Sequence, residues 1–241
     1  MLPILFQDDD LVVINKPSGL LVHRSAIDRQ ATEFALQMVR DQLGQRVYPV
    51  HRLDRPTSGA LIFAFSSAGA RHLATEFSEG RVAKTYLAVV RGTPPEEATI
   101  DYPLQEELDA KADTWARTDK PSQPAVTVIS TVATIEFPVK VDKYPSSRYA
   151  LVKAQPKTGR KHQIRRHLRH LGHPIIGDVA HGSGKHNRFF RETFQIHRLL
   201  LACTELSFLH PRENRIMNVK APLSEEFQAL VEKVGWKGRL G

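Results

Sequence analysis

"HRLDRPTSGALIFAF", residues 51–65, joins a polar turn to an unbroken apolar run. Residues 60–65 are too short for a helix and lie directly behind the turn signal Thr57-Ser58-Gly59, so they read as a buried strand. The turn before that strand is therefore held on a rigid element. It contains one carboxylate, Asp54, between Arg52 and Arg55. An isolated turn aspartate ordinarily just pairs with a neighbouring arginine. Here the nearby cations favour the ionised form. The stretch offers no second acid, which leaves a two-carboxylate glycosidase pair without a local partner. An ionised acid fixed among cations suits covalent or electrostatic attack on a sugar-like carbon. "HRLD" also looks like a kinase catalytic loop, but Leu53 alters the spacing, and neither a DFG triplet nor a glycine-rich phosphate loop accompanies it. Phosphotransfer is discarded.

Outward from this stretch, residues 11–14 read as a short strand and "NKPSG" (15–19) as a turn, since Pro17 and Gly19 break regular structure. Residues 31–43 have helical spacing with Gly44 as a C-terminal cap. Ser66 is placed to cap a helix carrying Ala70, Leu73, Ala74 and Phe77, ended by Gly80. Residues 82–91 have strand character, which puts Lys84 and Tyr86 on one face. Residues 105–125 are poor in apolar side chains and read as an excursion from the core. Strand-like segments resume at 125–136, 148–154 and 199–209. Ile164, Leu168 and Leu171 mark one helix face ended by Gly172, and Ser224 starts a last helix with Phe227, Leu230, Val231 and Val234. Strands outnumber helices and often follow one another. The expected fold is α+β, a mainly antiparallel mixed sheet with flanking helices. No internal repeat or linker is visible, so residues 1–241 are expected to form one domain.

The 241 residues carry a formal net charge of +8, with 41% hydrophobic residues and one cysteine, Cys203. A disulfide framework or cysteine zinc site within one chain is excluded. The early acids Asp8, Asp9 and Asp10 argue against a secretory leader, and no apolar run approaches membrane-span length. A cytoplasmic location follows by default, with a monomer as the default state. The basic balance favours a polyanionic partner, most often nucleic acid. It is also local: residues 157–173 hold six Lys/Arg, four His and no acid, whereas Glu106, Glu107, Asp109 and Asp113 crowd 106–113. The basic stretch could be no more than a solvated helix face. Thr158 and Gly159 beside it add the donors that phosphate contacts require. Histidines 181, 186 and 197 match no zinc spacing and lie in basic text, so they read as surface or RNA-facing and no metal is expected. A lone Tyr86 is ordinarily a strand aromatic. It gains interest only where its face meets Asp54.

Five segments together resemble the RluA-type pseudouridine synthases: "NKPSG" (15–19), "HRLDRPTSG" (51–59), "KTYLAVVRG" (84–92), "GRKHQIRRHL" (159–168) and "LSFLHP" (206–211). They span nearly the whole chain in the family's order. "HRLDRPTSGALI", "DYPLQEELDAKAD" and "PKTGRKHQ" are similar to the tRNA-acting branch. The resemblance implies a pseudouridine synthase fold with an RNA-binding cleft across the sheet. It also implies conversion of uridine to pseudouridine without metal or cofactor. It gives Asp54 the catalytic role, Tyr86 the ring that stacks on the target base and moves a proton, and Arg165 the cation paired with the aspartate. Ile164 would pack against the base and Arg52 would help extrude it. With Lys84, Arg160, Lys161 and Arg169 these form the expected substrate-binding set. Two departures stand out. "NKPSG" arrives by residue 15, so no N-terminal S4 domain is expected, and Ala202 stands in "LLLAC" where relatives often have histidine. The implied target is a uridine near the junction of the T-stem and acceptor stem. Ribosomal RNA as substrate, or an RNA-binding or RNA-folding protein on the same scaffold, is the alternative.

Overall fold

A computed structural model describes residues 1–23, 32–107 and 121–239. Ten strands form one sheet: β1 (Ile4–Gln7), β2 (Leu11–Lys16), β3 (Tyr48–Pro49), β4 (Ser58–Ala64), β5 (Ala83–Arg91), β6 (Glu97–Asp101), β7 (Val126–Phe137), β8 (Ser147–Pro156), β9 (Leu201–Leu209) and β10 (Ile216–Lys220). The main order is β1-β2-β4-β9-β5-β8-β7-β6, with β10 paired to β9 and β3 to β4. Every pairing is antiparallel except β4–β9. The α+β expectation with a mainly antiparallel sheet holds. All seven residues of β4 are buried, as its continuous apolar run requires.

Five α-helices flank the sheet: α1 (Ala35–Leu43), α2 (Ser67–Ser78), α3 (Gln163–His170), α4 (Gly184–Phe194) and α5 (Glu225–Lys233). Gly44 closes α1 in the left-handed region. Ser66 and Ser224 cap α2 and α5, accepting from Gly69 N–H and Phe227 N–H. The first helix begins at Ala35 and not at residue 31, because residues 32–34 are not helical and Phe34 is extended and bridges Leu21. Residue 31, and residues 108–120 of the excursion with Asp109 and Asp113, lie outside the described residues. Leu104 and Gln123 bridge the described ends of that excursion.

Alternation along the strands divides the core in two. Ala88 and Val90 of β5, with Ala150, Val152 and Ala154 of β8, join the larger apolar cluster with β2, β4 and α2. Val89, Tyr149 and Leu151 point the opposite way, into a second cluster with Phe190, Phe227 and Trp236. Since side chains two apart share a face, Lys84 and Tyr86 emerge on the side of the larger cluster, where loop 50–57 and α3 also lie.

The sequence reading passes over α4 and the short strands β1, β6 and β10, and the structure corrects what it made of two histidines. His186 is buried on α4, with Nδ1 2.8 Å from the Tyr149 hydroxyl. Burial and the Arg91 charge push its pKa down to about 4. His181 is buried as well. Only His197 of the three is exposed. The physical reason is α4, whose Phe189, Phe190 and Phe194 carry His186 into the aromatic cluster. Among the described residues no helix is long and apolar enough to cross a membrane.

Candidate active site

Asp54 owes its position to two turns locked together. Lys16, the last residue of β2, is buried, and its Nζ donates to the carbonyls of Pro17 (2.9 Å), Leu20 (2.8 Å) and Arg55 (3.2 Å). Gly19 N–H also donates to Arg55 O, Ser18 Oγ–H to Pro56 O, and Arg55 Nε–H to Gly19 O. "NKPSG" is thus a clamp on the aspartate's loop. Thr57 N–H donates to Asp54 O and closes the turn into β4. His51 braces the other end. Its Nε2 accepts from Ile62 N–H at 3.1 Å, and its ring stacks on Phe77 at 4.3 Å. Burial, helped by the charge of Lys84, holds His51 neutral with a pKa near 3. Gly59 is required by geometry: at φ +115° it lies against β9, where a Cβ would stand 2.1 Å from Cys203 O.

Arg165, in the first turn of α3, faces Asp54 from across the cleft. Its Nη1 donates to Asp54 Oδ2 at 3.1 Å, while Nε and Nη2 donate to the two oxygens of Asp178 at 2.7 and 2.9 Å. The Arg165 side chain is 4% exposed and that of Asp178 1%. Burial alone would lower the arginine's pKa, but the two carboxylates raise it. Burial would raise that of Asp178, but Arg165 and the backbone N–H groups of His181 and Ala180 hold it below its ordinary value. The guanidinium is a fixed positive bridge between two carboxylates. Gln163 sets the loop before α3. Its Oε1 accepts from Thr158 Oγ1–H and Arg160 N–H, and its Nε2 donates to Val126 O and Thr127 Oγ1.

Tyr86 completes the floor. A register shift between Thr85 and Tyr86 in the β5–β9 pairing sets Tyr86 opposite Cys203. Burial first, then a hydrogen bond with the Cys203 thiol and the charge of Asp54, raise the phenol's pKa well above 10, so it stays protonated. Burial likewise pushes the Cys203 thiol up to about 12. Lys84 lies two residues away on the same face, its Nζ 5.8 Å from the Phe77 ring centre.

These groups line one cleft of about 690 Å³, between loop 50–57 with α2 on one side and residues 156–165 on the other. Of the residues expected from sequence, Asp54, Tyr86, Arg165, Arg52, Ile164, Lys84, Arg160 and Lys161 all border it. Arg169 does not; it stands exposed on the outer side of α3. The basic stretch is therefore two-faced. Arg165 and His167 turn inward, His167 Nδ1 lying 2.9 Å from Thr127 Oγ1. Arg160 Nε–H donates to Pro124 O and Arg166 Nη1–H to Gln105 O. Sequence reasoning missed Asp178, His51, Gln163 and the clamping role of Lys16. Lys16, His51 and Gln163 lay in distinctive motifs and Asp178 did not. The role of each depends on a partner elsewhere in the chain, which its own segment does not name.

The fold and this cleft define a class, the pseudouridine synthases. A family model described as RNA pseudouridylate synthase matches residues 10–170, and the chain belongs to that family. More particularly, it is 50% identical over 240 residues to tRNA pseudouridine synthase C of Vibrio cholerae serotype O1, covering all of this chain and 98% of that one. It is 49% identical over 240 residues to the protein of the same name from Salmonella typhi, covering 92% of it. Among solved structures, human RNA pseudouridylate synthase domain containing 4 superposes with a TM-score of 0.71 at 25% identity, over 96% of this chain and 92% of that one.

Proposed function

We propose that this protein isomerises a specific uridine to pseudouridine in tRNA, near the junction of T-stem and acceptor stem, with Asp54 as the group that initiates the reaction. The observation that carries this is the Asp54–Arg165 contact at 3.1 Å inside a cleft floored by Tyr86. The names of the relatives supply tRNA as the substrate class. Isomerisation breaks the bond from uracil N1 to ribose C1′ and forms one from C5 to C1′. N1 gains the proton that C5 loses, so atoms and electrons balance with no co-reactant. Arg165 holds the Asp54 carboxylate in place for proton removal from the ribose or attack on it. The resemblance favours the former, through a glycal. The protonated Tyr86 phenol stacks on the detached base as it turns and moves a proton.

The target base must leave its stack, at a cost of about a few kcal/mol. Arg52, Lys84, Lys157, Arg160 and Lys161 around the cleft favour the phosphates and offset that cost. Ile164, buried in the cleft wall, supplies an apolar edge for the base. The protein acts as a cytoplasmic monomer without metal or cofactor. The test is Asp54→Asn. Pseudouridine formation in transcribed tRNA falls to background while tRNA binding stays within about threefold of wild type. Turnover near wild type sinks the assignment. Pseudouridine mapping of total RNA before and after gene deletion tests the substrate: loss of one tRNA position supports it, and loss confined to ribosomal RNA refutes it.

A further inference from the structure

Three side chains converge on one point beside the cleft, one of them lining it, and the isomerisation above uses none of them. Glu107 follows the Leu104 bridge, His162 precedes α3, and His181 lies in the loop after Asp178. His162 Nδ1 is 2.9 Å from His181 Nε2 and 3.2 Å from Glu107 Oε2, and His181 Nε2 is 3.7 Å from that same oxygen. In a tetrahedral site with bonds of roughly 2.0–2.1 Å, ligand atoms lie about 3.3 Å apart. The three separations bracket that edge.

Each member is aimed by something else. His162 adopts φ 55°, a left-handed conformation uncommon outside glycine, and this turns its ring towards His181. His181 N–H is tied to Asp178 Oδ1 at 2.9 Å. Arg166 Nε lies 3.3 Å from Glu107 Oε1, which leaves Oε2 to the histidines. Two imidazole nitrogens 2.9 Å apart need a proton between them, and a cation accepting both lone pairs would replace it. The basic surrounding text does not forbid this. The carboxylates of Asp54, Asp178 and Glu107 lie among the arginines here, so the setting is not purely basic. The other ring nitrogen of His162, Nε2, is 3.9 Å from Asp54 Oδ2. That is longer than a hydrogen bond, and a small movement of the ring on metal binding would close it and set an acid behind the ligating histidine.

We propose that Glu107, His162 and His181 bind a borderline transition cation of the Zn²⁺ class, with a fourth position open to the cleft, and that its binding engages Asp54 through His162 and slows the enzyme. Two nitrogens and one carboxylate favour such an ion over Mg²⁺ or Ca²⁺. The binding claim stands on geometry alone. The inhibition claim rests on the reading of Asp54 above, and the two have separate readouts.

Chelator-stripped full-length protein is titrated with ZnCl₂ by calorimetry and with CoCl₂ by visible absorption. Wild type is expected to bind one ion and to give the bands of four-coordinate Co²⁺. Glu107→Gln and His181→Asn, each checked for native circular dichroism, lose more than the roughly 10–100-fold that removal of an outer-shell partner costs. Asp54→Asn still binds. Absence of the cobalt bands, or equal Zn²⁺ affinity in wild type and Glu107→Gln, overturns the site. Turnover at saturating Zn²⁺, relative to each protein's own metal-free rate, should fall at least about tenfold in wild type and stay unchanged in Glu107→Gln. Equal rates with and without Zn²⁺ in wild type overturn the coupling to Asp54.

Discussion

At the scale of single residues, the proposed function turns on the bridge from Asp54 through Arg165 to Asp178. Only a planar guanidinium can give two parallel bonds to Asp178 and a third to Asp54. Arg165→Lys keeps the charge but cannot reach both acids in this geometry. Turnover is expected to fall on the order of 10²-fold, the usual effect of misplacing a reacting group by about 1 Å, with tRNA binding little changed in a filter-binding assay. Asp178→Asn strands a buried cation on one partner. Loss of one member of a buried pair costs about 3–5 kcal/mol, readable as a lower urea midpoint at pH 7. Because the Asp178 pKa is depressed in the fold, its contribution is present above about 3.9, the ordinary aspartate value. It is lost as pH falls through the folded value, so wild type and variant should converge in strong acid. Asp54, Tyr86 and Arg165 were legible because each sits in a short stretch of distinctive text. Asp178 was not, because nothing local in "IIGDVAHG" says that its partner is a helix residue of the basic stretch.

At the scale of elements, the parallel contact of β4 with β9 decides where the aspartate's loop ends. Gly59 allows that approach. Gly59→Ala forces a methyl against the Cys203 carbonyl at a φ that L-residues avoid. It is expected to cost about 1–3 kcal/mol or more, against about 1 kcal/mol for Ser66→Ala at the cap of α2. Urea unfolding of the two variants should show that order, and the reverse would mean that β4 can shift away from β9. The buried strand β4, the capped helices α2 and α5 and the helix face of α3 follow from apolar spacing and cap residues. The short strands β6 and β10 alternate buried and exposed positions over only five residues each. That is too brief for a pattern to stand out, and their pairing partners fix them. In α4 the aromatic residues fall at 189, 190 and 194 among charged residues, and it was tertiary packing against Tyr149 and Phe137 that gave them a face.

For the whole molecule, charge sets both partner and pH response. Arg160→Ala and Lys161→Ala should each weaken tRNA binding and reduce the slope of log K against log salt by about 0.7–0.9, one phosphate's worth of counterions. Arg169→Ala, outside the cleft, should change it less. An unchanged slope in both cleft variants would move the RNA footprint elsewhere. Stability should fall as pH drops below about 6.5. His51 and His186 are held neutral with pKa values near 3 and 4, so the unfolded chain takes up protons that the fold refuses. Lys16 acts at the other end. Burial and the charge of Arg198 lower its pKa to about 7, so between pH 7 and 8.5 the unfolded chain again holds more protons and stability should rise. Chemical denaturation across that window should show the rise in wild type and not in Lys16→Met.

The sequence by itself determined the α+β class, the buried strand behind the aspartate, and the residue types that meet in the cleft. Those features are written in local spacing, and local spacing is what a chain's apolar periodicity and turn residues encode. Only the tertiary structure decided that "NKPSG" clamps the Asp54 loop, that Asp178 holds Arg165, and that Glu107, His162 and His181 share a point. Each of these joins side chains from separate segments, and such contacts exist only once strand pairing and helix docking have brought those segments to the same face of the sheet.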